Sequence, residues 1–275
     1  MRYVCAADCG VDRFGDRDLE RAGGIGLNVA VHLRRLCAPG DTVTAVAPIG
    51  DDAGQAIVLD AMARTGVEPC LEVVTGSTPV QHIRHGPGGE RLFERYDEGV
   101  LAGFRLSERQ RAAIAGSDVL ATAAFGQGLA FFESVMACEG PALRVVDFTN
   151  ANDVGEPVAF AARWAPALDV GLFGLQATDT ELIDDLERVA AHAGRLFVVT
   201  LGAGGAVALG GPERVVARAQ AVERVADTTG AGDAFTAGFV CEYARGAGVE
   251  HSLAHANGVA AATLGHLGSF ELPGA

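Results

Sequence analysis

The stretch Asp227-Thr228-Thr229-Gly230-Ala231-Gly232-Asp233-Ala234-Phe235 decides the fold. Two glycines, two apart, follow a threonine pair, and an acid stands directly after the second glycine. From Ala234 to Arg245 the pattern is helical and apolar almost all round, through Phe235, Ala237, Phe239, Val240, Cys241 and Tyr243. A helix of that kind is buried on most sides. Its N-terminus therefore points out of the core at whatever lies above the glycine turn. That end has unpaired N–H groups and the positive end of the helix dipole, and glycines let a ligand approach the backbone. Together they make an anion site. A carboxylate there repels the ligand unless it has chemical work, and taking a proton from an attacking hydroxyl is such work. By itself, Gly-x-Gly-Asp would read more simply as a helix cap.

Composition narrows the classes. A chain of 275 residues with 49% hydrophobic side chains suits one large α/β domain. No apolar run is long enough to span a bilayer, and the N-terminus shows no secretory signal pattern. The net charge of −14 argues against nucleic acid and anionic membranes as partners. An anionic nucleotide must then be held by local dipoles, metal and a few Arg. The six cysteines, Cys5, Cys9, Cys37, Cys70, Cys138 and Cys241, form no C-x-x-C pair and match no zinc module. They read as small core residues in a cytoplasmic protein. No lysine occurs anywhere in the chain, so a Walker A phosphate loop is excluded.

Outward from the central stretch, strands and helices alternate. Tyr3–Cys9 reads as a buried first strand, with Asp8 and Asp12 near its end, where open α/β sheets bind ligands. Arg13–Arg21 reads as a charged, solvated connection. Gly23-Gly24-Ile25-Gly26-Leu27-Asn28 runs into a helix from Asn28 to Leu36. A strand follows over Asp41–Ile49, then a helix to Thr65 capped by the acids of Gly50-Asp51-Asp52. Thr78–Tyr96 reads as a hairpin with its turn at Gly86-Pro87-Gly88-Gly89 and a return strand from Arg91. Val80, His82 and Arg84 share one face of its first strand. Ser107 and Gln110 form a capping-box pattern. Strands are expected at Val119–Ala123, Leu143–Asp147, Val170–Leu175 and Leu196–Leu201, with helices at Leu129–Cys138, Asp179–Ala193 and His251–Gly265. Thr178 and Glu181 make a second capping-box pattern. Val207–Leu209 and Arg214–Val216 look like an antiparallel edge. Asp147 stands at a strand end, where substrate, metal and loop-capping roles are all open.

Asp-Thr-x-Gly-Ala-Gly-Asp-x-Phe at 227–235 resembles the C-terminal signature of the ribokinase-like carbohydrate kinases, the phosphofructokinase B family. Gly23-Gly24 with Asn28 and Ala30 resembles that family's N-terminal signature, and Thr200-Leu201-Gly202-Ala203-Gly204-Gly205 its nucleotide loop. The resemblance implies a ribokinase-like three-layer α/β sandwich with a mostly parallel sheet. It implies a single kinase domain over 1–275, with lid strands within 10–22 and 78–97. It makes Asp233 the general base and the amides of Gly230, Ala231 and Gly232 the anion hole. It assigns Asp12, Gly24 and Asn28 to the sugar, and Thr200, Gly202, Gly205 and Asn257 to the nucleotide. Asp227 and Thr228 would bind a monovalent cation such as K⁺. ATP and Mg²⁺ are the implied cofactors. Where the family has Asn-x-x-Glu to order the metal, this chain has Gln176-Ala177-Thr178-Asp179, so Asp179 is at most an indirect metal ligand.

Phe93-Glu94-Arg95-Tyr96-Asp97-Glu98-Gly99-Val100 is similar to a stretch of bacterial fructoselysine 6-kinases. That similarity points to a ketose-amine phosphorylated on its 6-hydroxyl, with Arg84 a candidate partner for a carboxylate on the adduct. A kinase for a simple ketose, ribose or nucleoside remains open, as does a non-catalytic sugar- or nucleotide-binding relative. A lid with an exposed face suggests a homodimer. An NAD-dependent oxidoreductase fails, because no glycine fingerprint joins a strand to a helix with an acid about 20 residues on.

Overall fold

The computed structural model describes residues 1–85, 91–150 and 155–274. The turn expected at Gly86-Pro87-Gly88-Gly89 lies outside them. In chain order the strands are β1 (Arg2–Ala6), β2 (Gly10–Phe14), β3 (Leu19–Gly23), β4 (Thr42–Gly50), β5 (Glu68–Val74), β6 (Val80–His85), β7 (Arg91–Asp97), β8 (Val119–Ala123), β9 (Leu143–Asn150), β10 (Val170–Gly174), β11 (Leu196–Thr200), β12 (Ala206–Leu209) and β13 (Val215–Ala217). The helices are α1 (Ile25–Leu36), α2 (Ala53–Thr65), α3 (Glu108–Ala115), α4 (Leu129–Met136), α5 (Pro157–Trp164), α6 (Thr180–Ala193), α7 (Ala231–Ala244) and α8 (Val249–Thr263).

Among the described residues nine strands form one sheet in the order β13-β12-β11-β10-β9-β8-β1-β4-β5. Pairing is parallel from β11 to β5, and the β11–β12 and β12–β13 pairings are antiparallel, so β12 alone runs against the rest. Strands buried on both faces read as continuous apolar runs, which is how β1, β8 and β11 appear in the sequence. Their side chains alternate between two layers. Tyr3 and Cys5 of β1 join a core with α1, α2, α7 and α8. Val4 and Ala6 face the other way, toward α3 and α4. Farther along that second face, β9, β10 and β11 pack on α4, α5 and α6.

Helix α7 is buried over one unbroken run, Ala234 to Cys241. Burying Phe235, Phe239 and Val240 stabilises its position by roughly 1.5–3 kcal/mol each. It crosses α8 closely. A Cβ at Gly238 would lie 2.9 Å from the Ala256 Cα, so the small residues of both helices set that approach.

A second sheet of four strands has the order β3-β2-β6-β7. Arg13–Arg21 is therefore not a loose connection. It belongs to the β2–β3 hairpin, because Val11 and Phe14 are buried at 3% and 0% exposure. Two other boundaries differ from the sequence reading. β1 ends at Ala6, and α1 begins at Ile25 rather than Asn28. The Asp8 carboxylate accepts the Ile25 N–H at 2.9 Å and the Asp8 carbonyl accepts the Gly26 N–H at 3.0 Å. A cap delivered from 17 residues away extends the helix through glycine that a local reading excludes. The Ser107–Gln110 capping box forms as expected. The Thr178–Glu181 box does not, because Asp179 takes the N-cap position and turns its carboxylate back onto the Gln176 N–H at 2.9 Å. All six cysteines are free and buried.

Candidate active site

β1 has β8 on one side and β4 on the other, so the winding direction of the sheet reverses there. Ligands of open α/β sheets bind at the C-terminal strand ends at such a point. A cavity of about 810 Å³ lies there. Its walls come from the ends of β9, β10 and β11, the first turns of α1 and α7, and the small sheet.

The glycine turn forms one wall of the cavity. Gly230 is the N-cap of α7 with φ 75°, a left-handed conformation that favours glycine. A Cβ there would lie 2.4 Å from the Ser269 Cβ. Around Gly232, by contrast, the space a Cβ would enter is open. That open space lies at the helix N-terminus, where phosphoryl oxygens fit. Ser269 is fixed from behind by α1, since its carbonyl accepts from His32 Nε2 at 2.9 Å. Burial lowers the His32 pKa to about 4, so the ring is a neutral donor there. Asp227 is 2% exposed and ties the same turn together. It accepts the Thr229 N–H and Oγ1–H at 2.9 and 2.8 Å and the Gly268 N–H at 2.9 Å.

Asp233 stands in the first turn of α7 and lines the cavity. Asn28, buried in the first turn of α1, donates its Nδ2–H to Asp233 Oδ2 at 2.7 Å. Two residues 205 apart in sequence therefore meet at the mouth of the glycine turn. Gly24 (φ 93°) precedes α1 and lines the cavity. Asp12, on β2, lines it too, and its carboxyl lies over Gly23, where a Cβ would come within 2.4 Å.

Two cavity acids were not given a role by the sequence. Asp147, at the end of β9, accepts the Thr236 Oγ1–H at 2.7 Å and the Thr149 N–H at 2.8 Å. Thr149 has φ 51°, so the chain curls back in a strained conformation to make the second of these bonds. Burial pushes the Asp147 carboxyl up. Asp8 accepts the Ile25 N–H and, at 3.1 Å, the hydroxyl of Tyr96 on β7. Burial pushes its carboxyl up as well, against those two hydrogen bonds. Tyr96 packs edge-on against Phe125, 5.7 Å between centroids, and both line the cavity.

The remaining candidates divide. Thr200 and Thr228 line the cavity. Gly205 and Asn257 do not. They converge on one short backbone stretch beside it. A Cβ at Gly205 would lie 2.2 Å from the Ala217 carbonyl, and Asn257 Nδ2 donates to the Ala217 and Arg218 carbonyls at 3.2 and 3.0 Å. Gly202 begins the turn that leads there, with φ 56°. Asp179 stays outside the cavity, its carboxylate taken by Gln176 N–H. Arg84 also stays outside. It is exposed and pairs with Glu94 at 2.8 Å, and Arg95 occupies the cavity wall instead. A bulge between His82 and Ile83 in the β6–β7 register brings Phe93, Glu94, Arg95 and Tyr96 all to that wall.

Comparison with known proteins gives the same picture. Residues 170–273 match the family model described as pfkB family carbohydrate kinase. The chain is 30% identical to fructoselysine 6-kinase of Escherichia coli (strain K12) over 267 residues, covering 94% of this chain and 96% of that protein. It is 25% identical to fructosamine kinase FrlD of Bacillus subtilis (strain 168) over 276 residues, covering 98% and 93%. Among solved structures, adenosine kinase from Sinorhizobium meliloti superposes with a TM-score of 0.81 at 20% identity, covering 98% and 96%. The chain belongs to the pfkB family of carbohydrate kinases and has the ribokinase-like fold.

Proposed function

We propose that this kinase transfers the γ-phosphoryl group of ATP to the 6-hydroxyl of a fructosamine, a ketose-amine of the fructoselysine type. The observation that carries the reading is the Asn28–Asp233 contact of 2.7 Å at the open end of the glycine turn, inside the sheet-edge cavity. The names of the two relatives, fructoselysine 6-kinase and fructosamine kinase, support the acceptor class.

In the proposed step Asp233 takes the proton of the acceptor hydroxyl. The hydroxyl oxygen bonds to Pγ as the bond from Pγ to the β,γ-bridging oxygen breaks, and ADP leaves. Asn28 holds the Asp233 carboxylate in place for the proton. The N–H groups of Gly230, Ala231 and Gly232 face the charge on the transferred group. Asp12, Gly24 and Asn28 hold sugar hydroxyls. Thr200, Gly202, Gly205 and Asn257 form the nucleotide side. The four-stranded sheet closes over the sugar as a lid of the single kinase domain.

Among the described residues no group of three or more His, Cys, Asp or Glu is placed to hold a metal. That suits Mg²⁺, which binds one or two carboxylates together with substrate phosphates. Asp147 is the carboxylate placed for it, and Mg²⁺ bound there would neutralise phosphate charge. A monovalent cation at Asp227 and Thr228 belongs to the same proposal, with K⁺ against Na⁺ dependence as its check. Leu92 and Phe93, 43% and 57% exposed on the lid, offer a homodimer contact that a sizing column at working concentration decides.

The test is ADP release with Mg²⁺ and K⁺ across fructoselysine, other fructosyl-amino acids, fructose, ribose and adenosine. Turnover concentrated on fructosamines supports the reading, and turnover on ribose or adenosine alone overturns the acceptor. Asp233→Asn should lose at least about 10³-fold in kcat, with nucleotide affinity nearly unchanged. Undiminished turnover in that variant would remove Asp233 as the base.

A further inference from the structure

Among the described residues, the cavity that must receive an anionic nucleotide is lined by five carboxylates, Asp8, Asp12, Glu94, Asp147 and Asp233, against one guanidinium, Arg95. Arg95 is already turned to Asp97, at 2.8 Å through Nε and 2.9 Å through Nη2, and Glu94 is paired with Arg84. Asp147 is aligned by Thr149 and Thr236, and Asp233 by Asn28. Asp8 shares with Asp147 a set of neutral donors only, and of the two it is the one held from the small sheet, by Tyr96. It is 4% exposed, yet its two carboxylate oxygens receive only neutral donors, the Ile25 N–H and the Tyr96 hydroxyl. A buried carboxylate is unfavourable unless a positive charge accompanies it.

A second observation points to what completes the site. Asn28 is 5% exposed and uses its Nδ2 on Asp233, but its Oδ1 is buried with no hydrogen-bond partner. It lines the same cavity as Asp8. Ile25, which anchors Asp8, and Asn28, which anchors Asp233, are three residues apart on α1, about 4.5 Å along the helix axis. That is the scale of a sugar ring. A molecule with its reacting hydroxyl at Asp233 reaches the Asp8 side with its other end. Both groups there are acceptors, so the fitting partner is an N–H donor with positive charge.

We propose that Asp8 is the counter-ion for the protonated secondary amine of the acceptor, and that this pairing selects a ketose-amine over the corresponding neutral ketose. The inference rests on the fructosamine reading above and adds the residue that enforces it. Tyr96 holds the carboxylate from the lid side, so the selecting charge is aimed only when β7 is seated over the cavity. A neutral sugar gains nothing from Asp8.

The experiment compares wild type and Asp8→Asn on fructoselysine and on fructose. Asparagine keeps the shape and an acceptor for the Ile25 N–H and removes the charge, with the Tyr96 hydroxyl oxygen now accepting from the amide. The expected result is a fall of at least tenfold in the ratio of kcat/KM for fructoselysine over fructose, carried mainly by KM for the amine. An equal fall on both substrates would reduce Asp8 to a support for α1 and overturn the inference, while the fructosamine reading stands. A wild type that shows no preference for fructoselysine over fructose overturns that reading, and the inference with it. Should Asp8→Asn fail to fold, the wild-type pH profile decides. KM for fructoselysine should rise where the secondary amine loses its proton while KM for fructose does not, and parallel profiles would overturn the pairing.

Discussion

The glycine turn at α7 and the four-stranded sheet face each other across one cavity, and they are held by opposite means. Behind the turn everything is core and backbone. Ala234 to Cys241 are buried, Ser269 lies directly under Gly230, and Asp227 closes the loop with three hydrogen bonds. The small sheet adds exposed ion pairs to a thin apolar seam of Val11, Phe14 and Ile83. Arg13–Glu20, Arg84–Glu94 and Arg95–Asp97 lie at 2.7, 2.8 and 2.8 Å, all with partly exposed side chains. Exposed pairs are worth about 0–1 kcal/mol each. The difference teaches where each task resides. At the turn, Gly230 and Asp227 also support the fold, so changes there cost stability. Exposed side chains of the small sheet contribute little to stability, which fits the proposal that acceptor choice resides on that side.

The sharpest way to break this contrast lies within the turn itself. Gly230→Ala places a methyl group against Ser269 in a left-handed conformation. We expect a stability loss of about 2–4 kcal/mol in urea unfolding, together with lost turnover. Gly232→Ala enters open space and should unfold at nearly the wild-type urea concentration while still losing turnover of ATP. Equal stability of the two variants would deny that the turn is braced by Ser269.

A smaller effect comes from His32, which supports Ser269 as a neutral ring. Its pKa is lowered from 6.5 to about 4 in the folded chain. The unfolded chain therefore binds the extra proton first. The stabilisation is fully present above pH 6.5 and is lost as pH falls toward 4, by about 3 kcal/mol if the whole shift is realised. Asp8 and Asp147 act in the opposite sense, since their raised carboxyls favour the folded state on acidification. Unfolding free energies measured between pH 7 and 4 should show a slope that His32→Gln reduces. An unchanged slope would remove His32 as the brace.

The smallest effect is expected on the lid. Arg84→Ala should change kcat/KM for any acceptor less than about twofold, because an exposed pair outside the cavity contributes little. A tenfold loss in kcat/KM would show that the sheet moves far enough to bring Arg84 to the substrate.

Several residues that meet in the cavity stand out in the sequence. Asp233, the glycines and Asn28 announce themselves because helix N-termini and glycine turns are local devices with fixed spacing. Arg84 was misplaced for a definite reason. Alternation along β6 identifies two faces but not which one meets the cavity, and the face that does carries Gln81. The bulge opposite His82 and Ile83 then shifts the return strand and brings Arg95 in. Asp8 and Asp147 lacked a role because their partners are distant. Tyr96 lies 88 residues from Asp8, and Thr236 lies 89 from Asp147. Ser269 and His32 gave no signal at all, being ordinary residues whose importance is contact with Gly230 and with each other.

The sequence by itself determined the alternating α/β architecture and the family. Those follow from hydrophobic period, glycine placement and a contiguous motif, all of them short-range properties of the chain. Only the tertiary structure decided which carboxylates share the cavity, which face of the small sheet looks into it, and that neutral donors alone surround Asp8. Those depend on the packing of segments up to 205 residues apart and on one bulge in strand register, and neither is written in any local stretch.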